Sequence, residues 1–468
     1  MNPLRQHFED RGQGQVFRFF DQISSDQQEQ LIRQANAIDL DEIDTLVENL
    51  LKSSATQEAA LDLQPANYLP VPCNRDSSES WQKAHAIGSQ ALNDGKVAAF
   101  TVAGGQGTRL GFAGPKGTFP ISPVSGKTLF QIFAEKIAAS EKQHQCTIPW
   151  FIMTSEGNHQ DTLTFFEENH WFSLSAENIH LFPQGTLPAV DQNGKILLED
   201  KHRIALSPDG HGGSLRALVR SGATQRMADQ GIEILSCFQV DNPLVQCIDP
   251  TFIGFHLEKK STLSSKTIMK TNAGEKVGVF CQQGEQTCVV EYSDMSQELQ
   301  QQTESDGSLS FRAGSIAVHL FDRQLIEQLG GDHDSVTLPF HLARKKISAL
   351  DKSGQPSSID GIKFEMFIFD ALPFAQSPMI LETLREEEFS PVKNAQGNDS
   401  PESSKQDQLK QFARWLAAVG IQLPTDDKAV PTINIEISPS FADCEEGFIK
   451  AWNNLPTPPK VKDGTILS

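Results

Sequence analysis

The sequence has no CxxC pair: its seven cysteines, at 73, 146, 237, 247, 281, 288 and 444, are scattered along 468 residues. An odd number fits free thiols in a reducing compartment better than a disulfide framework, and these cysteines read mainly as core packing. Long apolar runs are also missing. No stretch approaches the roughly 20 consecutive apolar residues that a membrane-spanning helix needs. The N-terminal MNPLRQHFEDRGQ has no apolar run of the signal-peptide kind. No membrane partner is therefore expected, and the expected localisation is cytoplasmic. Positive charge is in short supply, with 40 Lys and Arg against 60 Asp and Glu and a formal charge of -20. That balance argues against a broad electrostatic grip on nucleic acid. An anionic substrate would need local positive charge.

What is present is the composition of an ordered globular protein, 38% hydrophobic with 29 Phe, and longer than one core usually supports. Ile43, Leu46, Val47, Leu50 and Leu51 repeat at helix spacing, and Asp39 or Asp41 could cap the start, so residues 1–95 read as a helical attachment. From Lys96 the texture changes to short apolar runs, KVAAFTV, WFIMT, IHLF and IEILSCFQV, separated by helical or glycine-rich stretches. That alternation predicts an α/β fold with a doubly wound sheet, in a domain over 96–385. EKVGVFCQ and TCVVEYS read as a hairpin, and SIAVHLF as a later strand, so the sheet is expected to be mixed. The polar segments at 353–358 and 394–408 are expected to be exposed loops, the second leading into a small C-terminal region over 386–468.

The segment AGGQGTRLGFAGPKG follows KVAAFTV and precedes a helix expected to begin near Thr128. Backbone amides in such a turn can cradle phosphates, and glycines allow close approach. Arg109 and Lys116 add two cations suited to a triphosphate or a departing pyrophosphate. Two better-known motifs do not fit. Ser125-Gly126-Lys127-Thr128 looks like the tail of a Walker A loop, but Ile121 stands where its first glycine belongs. Gly105, Gly107 and Gly111 give GxGxxxG rather than the GxGxxG dinucleotide fingerprint. An oxidoreductase using NAD(P) should also show a ribose-reading residue about 20 positions past the loop. The nearest acidic side chain after Lys127 is Glu135, inside the predicted helix.

The loop, followed in order by FIMTSE, FPQGTLPAV, LSPDGHGG, VDNPLVQCIDP, VGVFCQ, VVEYSDM, LREEEFSPVKN and EISP, resembles the eukaryotic-type UDP-sugar pyrophosphorylase family. Within it the blocks are most similar to the UDP-N-acetylglucosamine pyrophosphorylase branch. The resemblance implies a Rossmann-like catalytic domain of the nucleotide-diphospho-sugar transferase type, flanked by smaller N- and C-terminal parts. It implies a reaction in which UTP and a sugar 1-phosphate give UDP-sugar and pyrophosphate, with Mg2+ as cofactor.

Carried over residue by residue, the resemblance puts the backbone of Ala103, Gly104 and Gly105 near uracil and ribose, and Arg109 and Lys116 on the phosphates. Gln184 and the turn Pro208-Asp209-Gly210 resemble uridine-reading positions; an amide can both donate to and accept from the uracil edge. Asp241, after the run IEILSCFQV, matches the magnesium ligand, and Lys393 the lysine that meets the phosphates late in the chain. Judged alone, Asp241-Asn242-Pro243 is equally a turn opener, and Lys393 a solvated loop residue. Gly278, Glu291, Tyr292, Phe367 and Phe369 match positions around the sugar, although the two phenylalanines also suit a core. Two positions depart from the acetylglucosamine branch: His211 and Ser315 stand where its PDGNGG and GNI blocks have Asn. N-acetylglucosamine 1-phosphate is the first expectation, ahead of N-acetylgalactosamine, glucose or galactose 1-phosphate. A nucleotide-sugar binding protein without catalysis would keep the fold, but not all of Arg109, Lys116, Asp241 and Lys393.

Overall fold

The runs VAAFTV, WFIMT and ILSCFQ form strands buried on both faces, which is why they read as continuous rather than alternating apolar segments. They belong to a computed structural model that describes residues 3–52, 62–72, 78–331 and 337–468; Cys73 lies outside the described residues. Among the described residues the other six cysteines form no disulfide, and Cys237, Cys247 and Cys281 are buried. The chain forms two units that are interleaved in sequence.

The larger unit comprises Asp62–Pro183, Leu218–Gly331 and Ala371–Ser468. Among the described residues its mixed sheet has ten strands, with the main order Leu63–Pro65, Val279–Gln283, Ala313–Asp322, Ile234–Gln239, Val97–Val102, Trp150–Thr154, Ile179–Pro183. The last four of these are mutually parallel, while Ala313–Asp322 runs antiparallel to Ile234–Gln239. After Val97–Val102 the chain builds outward on one side through 150–154 and 179–183. It then crosses to place 234–239 on the other side, which puts a topological switch point between Val97–Val102 and Ile234–Gln239. The expected hairpin forms between Val279–Gln283 and Gln286–Val290, with Gly284 supplying the positive φ of +58° at the turn.

Aromatic side chains dominate this unit's core, where Phe130, Phe133, Trp150, Phe166, Phe238 and Phe252 are buried together. Helix Leu129–His144 starts at Thr128, whose hydroxyl accepts from the Gln131 amide. Helices Glu79–Asn93 and Pro250–Glu258 approach backbone to backbone: an added Cβ at Gly88 would strike the Pro250 carbonyl, and one at Gly254 the Ala84 carbonyl. The polar segment at 394–408 is not all loop. From Pro401 it is the first half of helix Pro401–Ala418, capped by Ser400 and Ser403 in a reciprocal box. Its serines and glutamines hid the helix because Ser404, Gln408 and Gln411 are buried through hydrogen bonds instead of apolar packing.

The smaller unit comprises Met1–Leu61, Gln184–Ala217 and Asp332–Asp370. A long hairpin, Phe340–Leu350 with Pro356–Met366, turns at Gly354, so half of the 353–358 segment expected as loop is strand. Helices Pro3–Asp10, Ser25–Asn36 and Leu40–Leu46 belong to the same unit, and Phe8, Phe17, Leu31 and Ile43 share a core with Val190, Ile204, Ile362 and Phe364. Asp39 caps the third helix, accepting from the amides of Asp41 and Glu42. Beyond Leu46 the helix widens into a π turn, Val47–Lys52. Among the described residues no helix is long and apolar enough to cross a membrane.

Candidate active site

At the switch point the register brings Gln239 beside Val102, and the Val240 amide donates to the Val102 carbonyl at 3.2 Å. The loops that follow these two strand ends therefore start side by side, where open α/β sheets bind ligands. One is the glycine loop; the other begins at Asp241. The glycine loop does not run straight into a helix. It folds through two 3-10 turns, Gly107–Leu110 and Lys116–Thr118, closed by Lys116 N–H to Gly105 O at 3.0 Å and Gly107 N–H to Gly114 O at 2.9 Å. Gly111 and Gly114 take φ of +71° and +150°, which a side chain would strain.

Lys116 Nζ lies 3.7 Å from Asp241 Oδ2, with only 14% and 16% of the two side chains exposed. Arg109 is exposed, and its guanidinium has no protein partner among the described residues, so its charge is free for an anion. Lys393 is fixed through its backbone: its N–H donates to Asp399 O at 2.7 Å, and the Val392 N–H donates to Asp241 O at 2.8 Å. Burial raises the Asp399 carboxyl above the usual range, with the Lys393 charge acting against that rise and Asp241 adding to it. Arg109, Lys116 and Lys393, the three cations expected on the phosphates, thus all lie in the larger unit, with Asp241 linking Lys116 to the segment before Lys393.

The Walker-like tail is occupied by the chain's own carboxylate. Glu436 accepts from the amides of Val124 and Ser125 at 3.2 and 2.8 Å and from Ser125 Oγ at 2.6 Å. Lys127 pairs with Glu135 at 2.7 Å and with Glu436 at 3.7 Å and donates to Ser438 Oγ at 3.1 Å, so that lysine ties its loop to the C-terminal region.

Four sugar-side candidates also lie in the larger unit. Ser315 N–H donates to Gly278 O at 2.8 Å, and a Cβ on Gly278 would come within 3.4 Å of Glu291 Oε1. Tyr292 is next in sequence and 37% exposed. The remaining candidates group in the smaller unit. Gln184 Nε2 donates to Asp209 Oδ1 at 3.1 Å and to Gly210 O at 2.6 Å, which leaves its carbonyl to accept. Pro208 pairs with Thr186, and Gly210 at φ +85° packs so closely on Met366 that a Cβ would collide.

The His211 ring stacks on Phe367 at 5.4 Å and meets Phe369 at 5.6 Å. Burial pushes its imidazole down to about 4, and Nδ1 accepts from the Ile368 N–H at 3.1 Å. A neutral ring with Nδ1 accepting carries its proton on Nε2. His211 therefore offers a donor only.

Two residues escaped the sequence reading. Asn158 is 1% exposed and donates to the carbonyls of Ala103 and Gly105 at 3.1 and 3.3 Å, shaping the start of the glycine loop. Asn242 joins the Asp241 loop to the segment before Lys393. A polar residue in the turn that follows an apolar strand was the available signal for both, but turn propensity explains such residues equally well.

A switch point flanked by a glycine loop, two cations and a carboxylate defines a nucleotide-binding α/β enzyme of the nucleotidyltransferase class. The family described as UTP--glucose-1-phosphate uridylyltransferase matches residues 41–411, and the chain belongs to it. The chain is 36% identical over 456 residues to UDP-N-acetylglucosamine diphosphorylase 2 of Arabidopsis thaliana, covering 93% of this chain and 88% of that one. It is 37% identical over 447 residues to UDP-N-acetylglucosamine pyrophosphorylase of Saccharomyces cerevisiae, covering 90% and 92% respectively. In structure it is similar to the uridine diphosphate N-acetylglucosamine pyrophosphorylase from Trypanosoma brucei in complex with inhibitor. That match has a TM-score of 0.83 and 27% identity, over 99% of this chain and 97% of the other.

Proposed function

We propose that this uridylyltransferase joins UTP to N-acetylglucosamine 1-phosphate, in the cytoplasm and with Mg2+. The observation that carries the reading is the Lys116–Asp241 pair at the switch point, tied through the backbone to the segment bearing Lys393. An oxygen of the sugar phosphate attacks the α-phosphorus of UTP, a new P–O bond forms, and the bond to the departing pyrophosphate breaks. No covalent enzyme intermediate is needed. The work is to hold two anions together and to offset charge as it moves to the leaving group. Arg109, Lys116 and Lys393 supply positive charge for that, while Ala103, Gly104 and Gly105 present backbone close to the nucleotide. Within the smaller unit, taken by itself, the Gln184 carbonyl and the Pro208-Asp209-Gly210 turn have groups suited to a uridine, and His211, Phe367 and Phe369 groups suited to a sugar.

Asp241 suits Mg2+ as a hard oxygen donor whose carboxylate has one long ion pair and is partly exposed. Among the described residues no group of three or more His, Cys, Asp and Glu could cage a metal, which fits an ion that takes one or two carboxylates and completes its shell with water and substrate phosphates. When bound, the ion would supply charge compensation to those phosphates. The names of the relatives support an N-acetylated sugar. His211 and Ser315 leave glucose, galactose and N-acetylgalactosamine 1-phosphates as alternatives to test.

The test is pyrophosphate release from UTP with each of these sugar 1-phosphates, with and without Mg2+. Release fastest with N-acetylglucosamine 1-phosphate is expected. Release with none of them would remove the catalytic reading, and a large preference for glucose 1-phosphate would change the sugar while leaving the reaction intact.

A further inference from the structure

Asp241 and Lys393 sit on loops far apart in sequence, and one side chain in the larger unit bridges those loops. Asn242 is 4% exposed and uses both ends of its amide on the same segment: Nδ2 donates to the Glu388 carbonyl at 2.7 Å, and Oδ1 accepts from the Ser390 N–H at 3.0 Å. The Val392 N–H adds a third bond, to Asp241 O at 2.8 Å. Lys393 is the next residue.

The far end of that segment is anchored as firmly. Both Glu388 carboxylate oxygens lie 2.6 Å from Lys266 Nζ, and Oε1 also accepts from Thr383 Oγ1 at 2.6 Å. Lys266, 1% exposed, reaches Asp249 Oδ2 at 2.7 Å as well. Asp249 in turn caps helix Pro250–Glu258 through the amides of Thr251 and Phe252. A cation buried between two carboxylates costs desolvation and contributes little net stability, but it holds its partners in one geometry. The segment before Lys393 is thus clamped between a charged anchor in the sheet and an amide on the Asp241 loop. Packing alone would be served by an apolar side chain at position 242; an amide with donor and acceptor both engaged specifies one relative placement of the two loops.

We propose that Asn242 is a positioning residue that sets Lys393 relative to Asp241, with the Lys266–Glu388 pair as the fixed end of the brace. The inference rests on the phosphate role read above for Lys393. A misplacement of about 1 Å is enough to cost on the order of 100-fold in rate. Asn242 should therefore act on turnover and act through Lys393.

A double-mutant cycle tests this with the full chain, measuring kcat and KM for UTP in Asn242→Ala, Lys393→Ala and the double variant. Asn242→Ala is expected to lower kcat on the order of 10- to 100-fold with KM for UTP little changed, and the double variant to be no slower than Lys393→Ala alone. A general loss of stability would instead add to the Lys393 effect or scale with the unfolded fraction measured by circular dichroism. If Lys393→Ala is crippled while Asn242→Ala is silent or additive, the inference falls and the phosphate reading stands. If Lys393→Ala turns over normally, the reading falls and takes the inference with it. Should Asn242→Ala not fold, Asn242→Asp keeps the acceptor for Ser390, loses the donor to Glu388, and carries the same cycle with the same outcomes.

Discussion

Lys116 is a cation held 3.7 Å from Asp241, a distance at which substrate phosphates can compete for it. Lys393 contacts its surroundings through its backbone and the Phe389 ring, 5.8 Å from its Nζ. Removing either charge should therefore leave the fold intact and slow the chemistry. Lys116→Ala and Lys393→Ala are each expected to lower kcat about ten-fold or more, at least about 1.4 kcal/mol of transition-state stabilisation, in steady-state pyrophosphate-release assays. Near-normal turnover in both would contradict the assignment. His211 is the residue at which sugar choice should move. Its ring is fixed as a donor by the Ile368 N–H, whereas an Asn can donate and accept. His211→Asn should shift the kcat/KM ratio toward N-acetylglucosamine 1-phosphate over glucose 1-phosphate by about 3- to 10-fold, the worth of one hydrogen bond; an unchanged ratio would take His211 out of sugar selection. Residue types such as Arg109 and Lys116 were legible in the sequence because a glycine turn with two cations is chemically unusual. Asn158 and Asn242 were not, because their role lies in which carbonyls they reach.

At the level of elements, the strands from Lys96 onward could be read because burial on both faces leaves an apolar run. The Gly284 hairpin could be read because a polar break separates two apolar stretches. The helix from Pro401 was missed for the opposite reason: its buried face is partly Ser and Gln. Ser400, 1% exposed, accepts from the Ser403 amide at 3.2 Å, so Ser400→Ala should cost about 1 kcal/mol in urea unfolding. A larger cost is expected where two helices touch backbone to backbone. Gly88→Ala or Gly254→Ala forces a methyl against a carbonyl and should destabilise by about 1–3 kcal/mol or more. A loss below about 0.5 kcal/mol in both, the level of an ordinary surface substitution, would mean that the helices can part without penalty.

Across the whole molecule, partly buried imidazoles make acid a stress. His180 lies against the Phe151 ring at 5.0 Å, its Nε2 has no hydrogen-bond partner among the described residues, and burial holds it down to about 4, as it does His211. Both start from an ordinary value of 6.5, so between that pH and about 4 the unfolded chain binds protons that the folded chain refuses. Stability is then full above pH 6.5 and falls as pH drops toward 4. Urea midpoints at pH 7 and pH 5 should differ, and His180→Phe should reduce the difference; an unaltered pH slope would exclude His180 as a contributor. The sequence by itself determined the strand-forming runs, the glycine loop with its cations and the family, since each rests on local composition or on ordered short blocks. Only the tertiary structure decided that the units are assembled from interleaved segments, that the Walker-like tail holds Glu436, and that Asn242 and Lys266 brace the site. Those outcomes depend on contacts between residues more than a hundred positions apart, and no local pattern encodes which distant carbonyl or carboxylate a buried polar group will find.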